Sequence, residues 1–158
     1  VESDTSQIII RETITNDLKT IKSLLKSSSL PFVDVDKHLL NFLVLEVGGN
    51  IIGTIGAELY GDAALLRSLA VNKDYQNKGF GQALYNELIS KINKMNVNNI
   101  YLLTETAEGF FHKLGFQKIA RELVPNSIKQ TYEYSTLCSE SAVCMVKKLT
   151  KKTILTTE

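Results

Sequence analysis

Hydrophobic and polar positions alternate through much of the first half of the chain and recur at helical spacing in the second. Gln7 to Arg11 is a short β-rich run and the first expected strand. Ile14, Leu18, Ile21, Leu24 and Leu25 then share one helical face, with Thr15 placed to cap the start. The cluster Ser27-Ser28-Ser29 and Pro31 end that helix, and Asp36 to Leu40 adds a helical turn. Strands are expected at Phe42 to Val47 and Ile51 to Tyr60, around the turn Gly48-Gly49-Asn50. Gly61-Asp62 reads as a two-residue hairpin connection, with Gly first as a type II′ turn prefers. Ala64 to Val71 returns as the fourth strand.

The pattern then changes. Leu84, Leu88, Ile92 and Met95 mark a helix of three or more turns, broken at Asn96 to Asn99. Ile100 to Thr104 is a buried strand, and Glu105 to Leu114 a shorter helix with Gly115 at its C′ position. Phe116 to Arg121 reads as a strand, Pro125 to Tyr132 as helical and Ala142 to Val146 as the last strand. Lys147 to Glu158 is polar and basic, with a loose end. The expected fold is α/β: one domain over 1–149 with a mixed, mostly antiparallel central sheet flanked by helices, and a tail at 150–158.

Composition narrows the function. A chain of 158 residues can bury an independent core, and a net charge of +1 argues against a broad nucleic-acid or membrane footprint. The longest apolar runs are too short to span a bilayer, and Val1-Glu2-Ser3-Asp4 is unlike a signal peptide. Cys138 and Cys144 have no nearby His, so no metal site is expected; reduced, buried thiols and a cytoplasmic location are.

The chemistry gathers at Gln76-Asn77-Lys78-Gly79-Phe80-Gly81, between a strand and a long helix. Gly79 and Gly81 permit conformations and approaches that a Cβ would obstruct, and the unpaired N–H groups of a helix start attract anions. The string G-x-x-x-x-G-K-S/T of a P-loop is absent. A Rossmann fingerprint fails as well, because Leu84 stands where its third small residue should be.

What fits is Gln-x-x-Gly-x-Gly after a strand ending in the β-branched Val71. With Ala107 to Phe116, a helix closing on Gly115-Phe116, this resembles the GNAT superfamily of N-acetyltransferases. Residues 58–61, 64–71, 101–107, 124–125 and 135–145 further resemble its arsenic-resistance group. The resemblance implies a sheet splayed between the fourth and fifth strands, with acetyl-CoA as co-substrate in the wedge. The backbone of Leu69 and Val71 would hold the pantetheine, and the Val71 amide would polarise the thioester carbonyl. Amides from Gln76 through Gln82, including Asn77, Lys78, Gly79 and Gly81, would hold the pyrophosphate. Thr104, Phe110 and Phe111 would line the cofactor wall; Phe111 stands where the superfamily often has a Tyr as thiolate acid. Tyr132 or Tyr134 could supply that acid from elsewhere.

The implied acceptor is the primary amine of a small amino-acid-like compound, arsenic- or phosphorus-containing glutamate analogues included. Period-two alternation puts Arg67 on the same face as Leu69 and Val71, where a guanidinium could bind the acceptor's anionic group. The alternative is a structural pair with Glu58, which is otherwise a candidate base. Glu105 and Thr106 could contact substrate or cap a helix, while His38 and His112 read as surface residues. A protein or peptide acetyltransferase and a non-catalytic acetyl-CoA sensor are the competing functions. No nucleic-acid or membrane partner is expected, and the assembly is a monomer or homodimer.

Overall fold

The computed structural model describes residues 7–137 and 141–149. Cys138 and the expected tail at 150–158 lie outside them. The strands are β1 (Ile8–Glu12), β2 (Phe42–Val47), β3 (Asn50–Tyr60), β4 (Ala63–Val71), β5 (Asn99–Thr104), β6 (Gln117–Lys118) and β7 (Val143–Lys148). The helices are α1 (Leu18–Ser27), α2 (Phe80–Ile92), α3 (Glu108–Lys113), α4 (Asn126–Lys129) and α5 (Tyr132–Leu137). The strands form one sheet in the order β1-β2-β3-β4-β5-β7-β6, antiparallel except where β4 meets β5.

Apolar alternation decides which helix covers which face. Leu43, Leu45, Ile55 and Ala57 cluster with Leu84, Leu88 and Ile92 of α2 on one side. Phe42 and Val44 pack on Ile21 and Leu25 of α1 on the other, and Leu65 and Leu103 pack on Ile128, Tyr134 and Leu137 of α4 and α5. Helices thus cover both faces.

Local signals were accurate where the backbone itself demands a residue type. Gly61 has φ 62° while Asp62 has none of that sign, the pattern of a II′ turn joining Tyr60 to Ala63. At the end of α3, Gly115 has φ 99°, its N–H donates to the His112 carbonyl, and the Phe116 N–H donates to that of Phe111. These two bonds form a Schellman cap, which satisfies the last carbonyls of the helix.

Several expectations need correction. Thr15 lies in a 3-10 turn at Thr15–Asp17 and does not cap α1; the Asp17 carboxylate instead accepts from the Ile14 amide and from Arg11. The expected strand 116–121 shrinks to two residues, because Arg121–Leu123 forms a 3-10 turn. The helical stretch from Pro125 divides into α4 and α5. Lys147 and Lys148 belong to β7, where the Lys147 ammonium donates to the Leu114 carbonyl at 2.7 Å and to the Tyr85 hydroxyl.

The correction that matters most lies within β4. Thr54 pairs with Ala70 but Gly56 pairs with Arg67, so β4 holds one residue more than β3 over this stretch. Ser68 sits at φ 64°, the mark of a bulge. Ala64 and Leu66 face α2 below it, and Leu69 and Val71 face α2 above it. Alternation therefore reverses at Ser68, and Arg67 points to the opposite face from Leu69 and Val71, towards α1 and α5.

Candidate active site

β4 and β5 are paired only over Ala63–Asn99, Ala64–Ile100 and Leu65–Tyr101. Beyond these the strands part, and a cleft of about 600 Å³ opens between Leu66 to Val71 and Leu102 to Thr104. Parallel strands that separate leave main-chain groups available to a ligand. The Asn72 amide donates to the Ile52 carbonyl on β3. Successive strand amides point in opposite directions, so the Val71 amide is turned away from β3, into the opening.

At one end of the cleft, Gln76 donates from Nε2 to the Val71 carbonyl at 3.0 Å. The chain then reaches α2 through Asn77 at φ 64° and Gly79 at φ 85°. Gly79 is the N-cap, no side chain caps this end, and its first turn carries no acid. The opening amides around Phe80, Gly81 and Gln82 thus keep their affinity for an anion. Lys78 lies over the Tyr75 ring at 5.7 Å. The Phe110 ring approaches Gly81, 3.7 Å from where a Cβ would stand. These residues suit a pyrophosphate, and the largely apolar strands beyond suit a pantetheine arm.

Leu69, Thr104, Glu105, Thr106 and Phe111 line the same cleft. Thr104 Oγ1 accepts from the Ala107 amide at 2.9 Å, so the residue that secures the entry to α3 is Thr104 rather than Glu105 or Thr106. Glu105 accepts from Ser141 at 2.6 Å. Phe111 is buried edge-on between Phe110 and Phe116, and as a hydrocarbon it can donate no proton.

The far floor carries charge. Arg67 is 2% exposed, and all five guanidinium N–H donors have acceptors within the protein. Nη1 donates to Asp34 at 2.7 Å and Glu58 at 2.6 Å, and Nη2 to Asp34 at 2.8 Å and the Pro31 carbonyl at 3.5 Å. Nε donates to Ser68 Oγ at 3.0 Å. The Arg67–Glu58 pair is therefore present, with Asp34 as an additional bidentate partner that sequence did not suggest. Burial alone would lower the Arg67 pKa, but Asp34, Glu133 and Glu58 together raise it above its usual range. Burial pushes the Asp34 carboxyl up, yet the Arg67 bonds outweigh it and hold the acid below its ordinary value.

Glu58 also accepts from the Tyr60 hydroxyl. His38, expected at the surface, is half-buried with Nε2 3.5 Å from Asp34 and 3.6 Å from Glu58. Asp34, His38 and Glu58 could converge on a cation. Arg67 already bonds both carboxylates, so within the described residues the grouping reads as part of an ion-pair cluster. His112 is exposed, as expected.

A second residue, besides Asp34, escaped sequence reasoning. Glu133 of α5 enters the cleft, 2% exposed, with its Oε1 3.6 Å from Arg67 Nε and without a hydrogen bond. Burial, offset in part by Arg67 and reinforced by Glu58 and Asp34, pushes its carboxyl up to about 7. Tyr132 and Tyr134, the neighbours weighed as proton donors, do not line the cleft. The available signal was spacing: Glu133 stands four residues before the buried Leu137 and shares its helical face.

Comparison with known proteins agrees with this geometry. The acetyltransferase (GNAT) domain family matches residues 38–118. An uncharacterized N-acetyltransferase of Chlorobaculum tepidum is 31% identical over 121 residues, spanning 73% of this chain and 76% of that protein. An amino-acid acetyltransferase of Neisseria meningitidis is 24% identical over 62% of the chain, which spans only 23% of that relative. N-acetylglutamate synthase from Neisseria gonorrhoeae, complexed with coenzyme A and N-acetyl-glutamate, superposes with a TM-score of 0.79 at 21% identity. That alignment covers 91% of this chain and 35% of the synthase.

Proposed function

The chain belongs to the GNAT acetyltransferase family, and we propose that its acceptor is the primary amine of a small, amino-acid-like compound. It is an acetyl-CoA-dependent N-acetyltransferase. The observation that carries the acceptor reading is the floor of the cleft, where a buried guanidinium and a buried acid meet beyond the splayed strands. The amino-acid acetyltransferases and the synthase among its relatives support it.

In this reading the amides at the start of α2, from Gln76 through Gln82, hold the pyrophosphate. The backbone of Leu69 and Val71 aligns the pantetheine, and the Val71 amide stabilises the negative charge that develops on the thioester oxygen. Thr104, Phe110 and Phe111 wall the arm, and Glu105 and Thr106 stand at the acceptor's entrance. Arg67 meets an acidic group on the acceptor by exchanging its longest bond, that to Pro31 at 3.5 Å, for a carboxylate, arsinate or phosphinate oxygen. Glu58 holds Arg67 in position. This extends the reading to arsenic- and phosphorus-containing glutamate analogues, as the arsenic-resistance likeness implies.

A thiol-release assay with acetyl-CoA and a panel of amines tests it. The panel holds glutamate, its arsenic and phosphorus analogues, glutamine, alanine and short peptides. Small acid-bearing amines should be turned over at least tenfold better than their neutral counterparts, measured as kcat/KM. Turnover confined to peptide amines would overturn the small-acceptor reading.

A further inference from the structure

An amino-acid amine is mostly ammonium at neutral pH and must lose a proton before it can attack a thioester. Glu58 is poorly placed to take that proton, since its carboxylate accepts from both Arg67 and Tyr60. Asp34 is bound in bidentate fashion to Arg67. Glu105 accepts from Ser141. Glu133 differs from all three. Its Oε1 is buried, lacks a hydrogen bond and belongs to a side chain lining the cleft.

The reason lies in the arithmetic of Arg67. A guanidinium has five N–H donors, and Ser68, Asp34, Glu58 and Pro31 engage them all. Arg67 Nε therefore lies 3.6 Å from Glu133 without bonding it. A buried carboxylate oxygen that lacks a hydrogen bond is a costly arrangement, and a catalytic role is one of the reasons for which such costs persist.

We propose that Glu133 is the catalytic base that accepts a proton from the acceptor's ammonium group in the cleft. The inference rests on the small-amine reading above. Glu133 takes one proton and leaves the nitrogen its lone pair. A C–N bond forms at the thioester carbonyl carbon as the C–S bond breaks. The second proton shed by nitrogen goes to the departing sulfur, and Glu133 returns its own to water. Arg67 from β4, Glu58 from β3 and Asp34 from the segment after α1 face the carboxyl. His38 touches the two acids, and Tyr60 touches Glu58. Burial together with the charges of Glu58 and Asp34, only partly offset by Arg67, brings its proton affinity close to neutrality, where a general base works best.

The test compares wild type with Glu133→Gln across pH 5.5 to 9.5, using the best amine of the panel and its weakly basic aminooxy or hydrazide analogue, with uncatalysed rates subtracted. The variant should lose about 100-fold in kcat/KM near neutral pH with the ordinary amine, and its acidic limb should move up from the Glu133 carboxyl to the amine's own, higher pKa. With the weakly basic analogue, already neutral, the loss should be under fivefold, and coenzyme A affinity measured by calorimetry should not change. An unfolding midpoint at or above that of wild type shows that the loss is not one of folding. Equal losses with both nucleophiles, or an unchanged acidic limb, would overturn the inference. Wild-type turnover matched by the variant within threefold would overturn it alone; wild-type inactivity towards every amine would overturn the small-amine reading and this inference together.

Discussion

Arg67 and Asp34, 33 residues apart in the chain, are joined by two hydrogen bonds of 2.7 and 2.8 Å inside the protein. The pair ties the segment after α1 to the middle of β4, so the wall of the cleft and its floor are a single mechanical unit.

Asp34→Ala should therefore be among the most damaging substitutions. It strips the buried Arg67 of its two bonds to Asp34 while Glu58 still balances its charge, at a cost of about 2–3 kcal/mol. Urea unfolding should show a shifted midpoint. In the wild type the Asp34 pKa lies below its unfolded value, so this stabilisation is complete above the ordinary carboxylate range and is lost as pH falls through the lowered value.

Glu133 has the opposite sign. Its folded pKa of about 7 exceeds the reference value of 4.5, so the folded chain keeps a proton that the unfolded chain has released. Stability should fall as pH rises from about 4.5 to 7, by about 3 kcal/mol in all. Glu133→Gln removes this dependence. Denaturant midpoints at pH 5 and pH 8 should show the variant gaining on wild type at the higher pH.

Gly79→Ala tests the loop. No atom would obstruct the new methyl group, so the penalty comes from φ 85° alone, about 1–2 kcal/mol. Coenzyme A should bind about tenfold more weakly by calorimetry. Gly49→Ala, at the same φ in the β2–β3 turn outside the cleft lining, should leave coenzyme A affinity unchanged while lowering stability.

Gly56→Ala probes packing. Its Cβ would stand 2.3 Å from Phe42 Cε1, and the Phe42 ring lies 5.8 Å beneath the Arg67 guanidinium. The overpacking should cost about 1–3 kcal/mol by thermal unfolding. It should also lower turnover, because the ring that moves supports the charged floor.

How much of this was legible depended on how local each determinant is. Gly79, Gly61 and Gly115 announce themselves because a positive φ restricts the residue at one position, whatever surrounds it. The floor is another matter. Asp34 sits in a segment without periodicity, and Glu133 on a helix too short to display a strong pattern. Their burial arises only when α1 and α5 close over β4. Arg67 was found by its type, an arginine in an apolar strand, yet was assigned the wrong face. One inserted residue defeats any rule that counts by twos.

That inserted residue gives β4 something like a reading frame. Below Ser68 the strand sends Arg67 to the face that carries Glu133, and above it sends Leu69 and Val71 to the other, with the Val71 amide turned into the opening between β4 and β5. Deleting Ser68 itself would remove the extra residue and restore plain alternation with every side chain on its present face, whereas deleting a residue on either side of an intact bulge would turn one part of the strand over. Strand length, counted in single residues, thus becomes a heritable determinant of activity in its own right, and a deletion scan along β4 would read it as a frameshift in space.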